Sequence, residues 1–279
     1  MPTTLSPLRY PGGKTKLYTI IQPIVNSCQF GNEKIYVEPF AGGSGLALKL
    51  LFNHDVDRII LNDIDFRIYC FWHSILTQTT EFINMIVNCQ INIDTWYIEK
   101  NIYSSPDDYS ELEVGFATFF LNRCNVSGVL LAGPIGGYAQ LGKYKIGARF
   151  NKIDLINKIS EIGANADNIE FYNMDAIQFI QTQLIHINND NIFLNIDPPY
   201  VKKGELLYEN SFSETDHAAL CLLVKRLDYK WVVTYDKCEL IENLYENYQM
   251  VELSLQYSAG NNRIGKELLI FSNMIEFEA

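Results

Sequence analysis

Asp197-Pro198-Pro199-Tyr200 combines a carboxylate, two ring-locked backbone units and a flat aromatic side chain. It follows the apolar run Asn191-Ile192-Phe193-Leu194, which reads as a buried parallel strand continuing towards Asn195-Ile196. Paired prolines cannot extend a ladder, so the strand must stop there, and the residues ahead of them are held extended. The chemistry this set suits is activation of an exocyclic amine on a base. Such an amine is a poor nucleophile because its lone pair is delocalised into the ring. Acceptors at Asp197 and at the Pro198 carbonyl would hold the two N–H bonds and keep the lone pair on nitrogen, while Tyr200 would stack on the base. The competing reading is a plain strand-ending turn with a surface tyrosine.

The elements that would position this turn are legible on either side of it. Ile35–Phe40 reads as a first strand, Ala41–Gly45 as a glycine-rich turn and Leu46–Leu51 as a helix. That is the opening half of a nucleotide-binding βαβ unit, with Phe40, Gly42 and Gly43 at the turn. It has neither Gly-x-Gly-x-x-Gly nor the Lys-Ser/Thr of a phosphate loop. Arg58–Asp65 reads as a second strand ending in acid about 20 residues past the glycines, the spacing at which a carboxylate reaches a ribose diol. Asp63 is the expected residue and Asp65 the fallback. Further strands are expected at 168–175, 191–200, 230–236, 249–257 and 267–272, the last two joined as an antiparallel hairpin by the linker 258–266. At the N-terminus, Tyr10-Pro11-Gly12-Gly13-Lys14 places a flexible backbone, a cation and a flat wall ahead of a helix, which suits a cofactor carboxylate and equally a plain turn that opens the helix.

Between the second and third strands the text is helical and aromatic, through Phe71, Trp72, Phe82, Phe116, Phe119 and Phe120, a pattern that is core by default. The chain of 279 residues carries a formal charge of −11, which speaks against nucleic acid until the distribution is considered. No acidic residue lies between Glu113 and Asp154, whereas Arg123, Lys143, Lys145, Arg149 and Lys152 all do, interleaved with glycines and Tyr138, Tyr144 and Phe150. This basic stripe falls in the long interruption, so 72–155 is expected to be an inserted subdomain within a domain made of 1–71 and 156–279. The six cysteines are scattered without a Cys-x-x-Cys pair, which fits reduced thiols and a cytoplasmic location better than disulfides or zinc. No run is apolar and long enough for a membrane span, and no metal is expected.

Taken together, these segments resemble the Dam-type (class alpha) adenine-N6-specific DNA methyltransferases over nearly the whole chain. Leu8–Lys14 resembles that family's Trp-Ala-Gly-Gly-Lys cofactor motif, with Tyr10 and Pro11 in place of Trp and Ala. Val37-Glu38-Pro39-Phe40 resembles its glycine-loop strand, although Ser44 stands where the second glycine of Phe-x-Gly-x-Gly is usual. Asp197–Tyr200 matches its Asp-Pro-Pro-Tyr catalytic tetrapeptide. The resemblance implies an α/β fold: a Rossmann-like sheet of seven strands with a terminal antiparallel hairpin and an inserted, mainly helical target-recognition subdomain. It implies S-adenosyl-L-methionine as cofactor, held by Tyr10, Gly12, Gly13, Lys14, Phe40, Gly42, Gly43, Asp63, Asp175 and Asp197. It implies direct transfer of methyl to N6 of an adenine flipped out of double-stranded DNA, either beside a cognate restriction endonuclease or as a solitary modifier. Expected DNA contacts are Arg123, Lys143, Lys145 and Arg149, with Lys202 past the catalytic turn and Arg263 in the hairpin linker. Methylation of RNA or of a protein amide, and DNA binding without catalysis, are the alternatives.

Overall fold

The structure is a computed structural model that describes residues 4–9, 17–201, 212–257 and 263–276, with the backbone alone for 254–257 and 263–265. Tyr10, Gly12, Gly13, Lys14 and Lys202, and the side chain of Arg263, therefore lie outside the described residues.

Seven strands form one mixed sheet in the order β3-β2-β1-β4-β5-β7-β6. They are β1 (Ile35–Glu38), β2 (Arg58–Asn62), β3 (Ile169–Tyr172), β4 (Ile192–Ile196), β5 (Lys230–Asp236), β6 (Met250–Tyr257) and β7 (Arg263–Phe271). Every residue of β1 and β4 is buried, as parallel strands covered on both faces require. β1 pairs in parallel with β2 on one side and β4 on the other, and β4 pairs in parallel with β5. β7 runs antiparallel to both β5 and β6. The strand order thus reverses at β1, and ligands of open α/β sheets bind outside the carboxyl ends at such a switch point.

The expected strands are all present, most of them shorter than expected. β1 ends at Glu38 because Pro39 cannot donate to the ladder, and β4 ends at Ile196 ahead of the paired prolines. β2 ends at Asn62 and β3 at Tyr172, so Asp63 and Asp175 lie in the loops beyond. The hairpin differs in the other direction. β7 begins at Arg263, paired with Tyr257, so Arg263 to Lys266 belong to a strand and not to the linker. Backbone pairing with β6 carries the ladder through Gly265 despite its low strand preference.

By contacts the chain divides into two compact units. One comprises Met1–Gly13, Gly42–Gly45 and Asp65–Asn173; the other comprises Lys14–Ala41, Leu46–Ile64 and Met174–Ala279. The first is built on α3 (Phe66–Thr77), α4 (Thr79–Asn88), α5 (Ile93–Ser104), α6 (Glu111–Cys124) and α7 (Lys152–Ala164). The second carries α1 (Tyr18–Ser27), most of α2 (Gly45–Phe52), α8 (Ala176–Thr182), α9 (Glu214–Val224) and α10 (Glu239–Leu244). The core of the first unit is aromatic. Phe71 stacks on Phe119 at 5.9 Å, Phe82 meets both edge-on, and Phe150 closes on Phe119 and Phe120. α3 and α6 cross closely enough that a Cβ on Gly115 would lie 2.5 Å from the Cys70 carbonyl oxygen. α6 starts with a capping box between Ser110 and Glu113. Among the described residues, no helix is long and apolar enough to cross a membrane.

Candidate active site

Each central strand of the second unit carries a polar residue at or next to its carboxyl end: Glu38 on β1, Asn62 on β2, Asn195 one residue before the end of β4 and Asp236 on β5. An all-apolar strand would need nothing polar there, so these positions mark the carboxyl edge as built for polar contacts. Asn62 is wholly buried, and its amide ties three segments together. It donates to the Pro39 and Met174 carbonyls at 3.0 Å each and accepts from the Met174 N–H at 3.0 Å. The Ala41 N–H in turn donates to the Asn62 carbonyl at 2.9 Å. The loops that leave β1 and precede α8 are therefore fixed by one strand-end side chain.

Asp63 follows immediately and is half-buried. Asp65 and Asp175 are helix caps: Asp65 accepts from the Arg67 N–H at 2.9 Å and Asp175 from the Gln178 N–H at 3.0 Å. Asp175 is exposed, and its carboxylate already serves the first turn of α8. In the glycine turn, Gly42 has φ +48° and Ser44 φ +46°. Ser44 thus takes the left-handed backbone that a glycine accepts without strain, at the position where the resemblance leads one to expect glycine. The Gly42 carbonyl accepts from the Trp72 indole N–H at 2.9 Å.

The tetrapeptide leaves β4 at the switch point. Asp197 and Pro199 are half-buried, Pro198 is buried and Tyr200 is 8% exposed. The β1–β4 register pairs Tyr36 with Phe193, whose rings lie 6.1 Å apart and nearly parallel. By strand alternation Glu38 and Asn195 share that face. Glu38 is 6% exposed and accepts a hydrogen bond from the Tyr36 hydroxyl at 2.9 Å. Burial pushes its carboxyl up to about 8, and the charge of Asp197 adds to the effect, while hydrogen bonds from Tyr36 and Asn195 oppose it. Tyr36 is itself raised well above its ordinary value, chiefly by burial and then by Glu38. Of the two acids at this edge, Glu38 is thus the one that burial holds towards its neutral form. Beyond the turn, the Tyr200 hydroxyl donates to Glu267 Oε1, and the Val201 N–H donates to Asp236 Oδ1 at 3.0 Å.

The basic stripe belongs to the first unit and is less uniform than its sequence suggests. Lys143, Lys145 and Arg149 are exposed. Arg123 is half-buried, and its guanidinium donates to the Arg149 and Pro7 carbonyls. Burial, then Arg9, lowers it to about 10. Lys152 donates to the Val87 and Cys89 carbonyls, and Lys145 to the Gln140 carbonyl at 2.6 Å. Lys143 lies over the Tyr144 ring at 5.7 Å. A cleft of 340 Å³ is lined by Arg9, Lys143, Tyr144, Arg149, Val126 and Ser127 among others. Its loop is pinned by Gln140, whose amide group bonds Ile135, Gly137 and Ile146.

A family model, D12 class N6 adenine-specific DNA methyltransferase, matches residues 10–259. The chain belongs to that family. The Type II methyltransferase M.MjaIII of Methanocaldococcus jannaschii is 22% identical over 240 residues, covering 79% of each chain. Among solved structures, the rRNA methyltransferase aviRa of Streptomyces viridochromogenes aligns over 94% of this chain and 86% of its own at 12% identity, with a TM-score of 0.41. The protein is thus an adenine-specific DNA methyltransferase, and the RNA, protein-amide and non-catalytic readings give way to DNA. Sequence reasoning quoted Glu38 without a role and passed over Asn62, Asp236 and Glu267. For Glu38, Asn62 and Asp236 the signal was present, polar residues ending otherwise apolar strands, whereas Glu267 lies inside β7.

Proposed function

We propose that this methyltransferase uses S-adenosyl-L-methionine and acts on an adenine swung out of duplex DNA, with Asp197 and the Pro198 carbonyl accepting from the N6 amine and Tyr200 stacking on the base. Extrusion costs a few kcal/mol, and stacking on an aromatic returns about 1–3 kcal/mol. The observation that carries the reading is the position of Asp197: it leaves β4 beside the end of β1, where the strand order reverses, next to the buried Glu38.

The donor set fits the cofactor. Glu38, Asp197 and the buried Asn195 Oδ1, which has no hydrogen-bond partner among the described residues, gather acceptors at the ends of β1 and β4. These suit a ligand that brings N–H or O–H donors. Asp63 would take the ribose hydroxyls, and Phe40 and Asp175 would line the adenosyl group. Gly42 and Gly43 lie in the turn that leaves β1, while Tyr10, Gly12, Gly13 and Lys14 would hold the methionyl end. When bound, S-adenosyl-L-methionine supplies an activated methyl group for direct transfer to the amine. The chain's own contribution is positioning and electrostatics: it fixes the amine, localises its lone pair and stabilises the positive charge that grows on nitrogen.

Residues 72–155 serve as the target-recognition part, with Lys143, Lys145 and Arg149 on DNA phosphates. Arg123 contributes by shaping the backbone of Arg149. Lys202 and Arg263 supply further phosphate contacts. A cognate restriction endonuclease would make the protein one half of a restriction–modification pair.

The test is single-turnover transfer from labelled S-adenosyl-L-methionine to unmethylated plasmid DNA. Asp197→Ala should lower the rate at least about 100-fold, the scale of losing one preorganised partner of a developing charge. Cofactor affinity should change far less. A rate within a few-fold of wild type would remove Asp197 from the chemistry.

A further inference from the structure

We propose that Asp236 and Glu267 are positioning residues for the catalytic turn: side by side where the end of β5 meets the middle of β7, they grip the backbone of Val201 and the hydroxyl of Tyr200 and so hold the aromatic ring in one place. The inference rests on reading Asp197–Tyr200 as the reacting turn and extends the site to strands that the tetrapeptide does not belong to.

The register makes the pair. Asp236 and Glu267 are directly opposed across the antiparallel β5–β7 ladder. Carboxylates directly opposite each other repel, and Glu267 is only 1% exposed, so the arrangement is unfavourable unless donors meet both groups. Two of those donors come from the residues closing the turn. The Tyr200 hydroxyl donates to Glu267 Oε1, and the Val201 N–H donates to Asp236 Oδ1 at 3.0 Å.

The topology explains why the turn needs them. β4 stops at Ile196, level with Val233 of its parallel neighbour, whereas β5 continues to Asp236. Once past Ile196 the chain has no ladder of its own, and its prolines supply no N–H. Stiffness within the prolines fixes local shape but not the direction in which Tyr200 projects. Anchors on β5 and β7 supply that direction from strands held in the sheet interior. Backbone pairing supports them, since the Lys237 N–H donates to the Lys266 carbonyl one residue beyond the pair. An aromatic platform misplaced by an ångström loses the near-attack geometry on which in-place methyl transfer depends.

The experiment is a double-mutant cycle on the full-length enzyme, with Tyr200→Phe and Glu267→Ala. It reads kcat and KM for labelled methyl transfer to unmethylated plasmid DNA, with thermal melting to verify folding. Tyr200→Phe keeps the ring and removes only the hydroxyl. Each single variant should lower kcat about 10- to 100-fold with little change in KM for the cofactor. The double variant should be no slower than the worse single, because both remove the same bond. Glu267→Gln, which keeps an acceptor oxygen, should recover most of the rate, and Asp236→Asn should be milder than Asp236→Ala. Wild-type kcat in Tyr200→Phe, or losses that multiply in the double variant, would overturn the proposal. If Glu267→Ala does not fold, the Tyr200→Phe rate decides alone. Inactivity of the wild-type protein towards adenine would count against the proposed function instead, and loss of activity in Asp197→Ala beside an additive cycle would sink the grip alone.

Discussion

Glu38 feels both its burial and the charge of Asp197 at the carboxyl edge of the sheet. A second carboxylate beside Asp197 would add a buried negative charge with no cation paired to it among the described residues; a neutral acid adds a hydrogen-bonding group at no such cost. The raised value has a consequence for stability. In the unfolded chain Glu38 releases its proton near pH 4.3, and in the folded chain near pH 8. Between those values the folded state binds the extra proton, so this group's contribution is fully present below the unfolded value and is lost as pH rises towards about 8. Glu38→Gln mimics the neutral acid. Its melting temperature should fall less steeply than that of wild type between about pH 5 and pH 8, and its methyl-transfer rate at neutral pH should stay within about threefold of wild type. Parallel melting curves for the two proteins across that range would show that Glu38 ionises normally.

Among the elements, the β1 turn and the α3–α6 crossing each place a demand on one position. Ser44 carries a left-handed backbone without being glycine. Ser44→Gly should therefore raise stability by up to about 1 kcal/mol in denaturant unfolding, and a clear loss would mean that the hydroxyl outweighs the backbone strain. Gly115→Ala forces a methyl against the Cys70 carbonyl and should cost about 1–3 kcal/mol by the same measurement. The elements were largely legible in the sequence because apolar runs and glycine or proline stops are local signals. β5 was read to the residue, and Pro39 and Pro198 account for the early ends of β1 and β4. The start of β7 at Arg263 was not legible, since glycine and lysine carry no strand signal and only pairing with β6 sets that end. The tetrapeptide was conspicuous because its composition is unusual. Asn62, Asp236 and Glu267 were not, because their importance lies in partners far along the chain: Met174 for Asn62, Val201 for Asp236 and Tyr200 for Glu267.

For the whole molecule, a net charge of −11 coexists with an acid-free segment between Glu113 and Asp154. Excess negative charge keeps non-specific DNA binding weak, so affinity must come from a confined basic surface. Lys143 and Arg149 are exposed, line a cleft with Arg9, and are the two proposed to meet DNA phosphates. Lys143→Glu with Lys145→Glu should weaken binding to duplex DNA and lower the slope of log affinity against log salt by about 0.9 for each phosphate that is no longer neutralised. An unchanged slope in fluorescence anisotropy titrations would place the DNA elsewhere.

The methylated product gives the most direct test of adenine-N6 transfer. The purified enzyme is incubated with labelled S-adenosyl-L-methionine and unmethylated DNA, and the DNA is digested to nucleosides and separated. The label should appear in N6-methyladenosine of the deoxy series and vanish in Asp197→Ala, whose cofactor binding persists. Label in a methylated cytosine, or undiminished N6-methyladenine from Asp197→Ala, would contradict it.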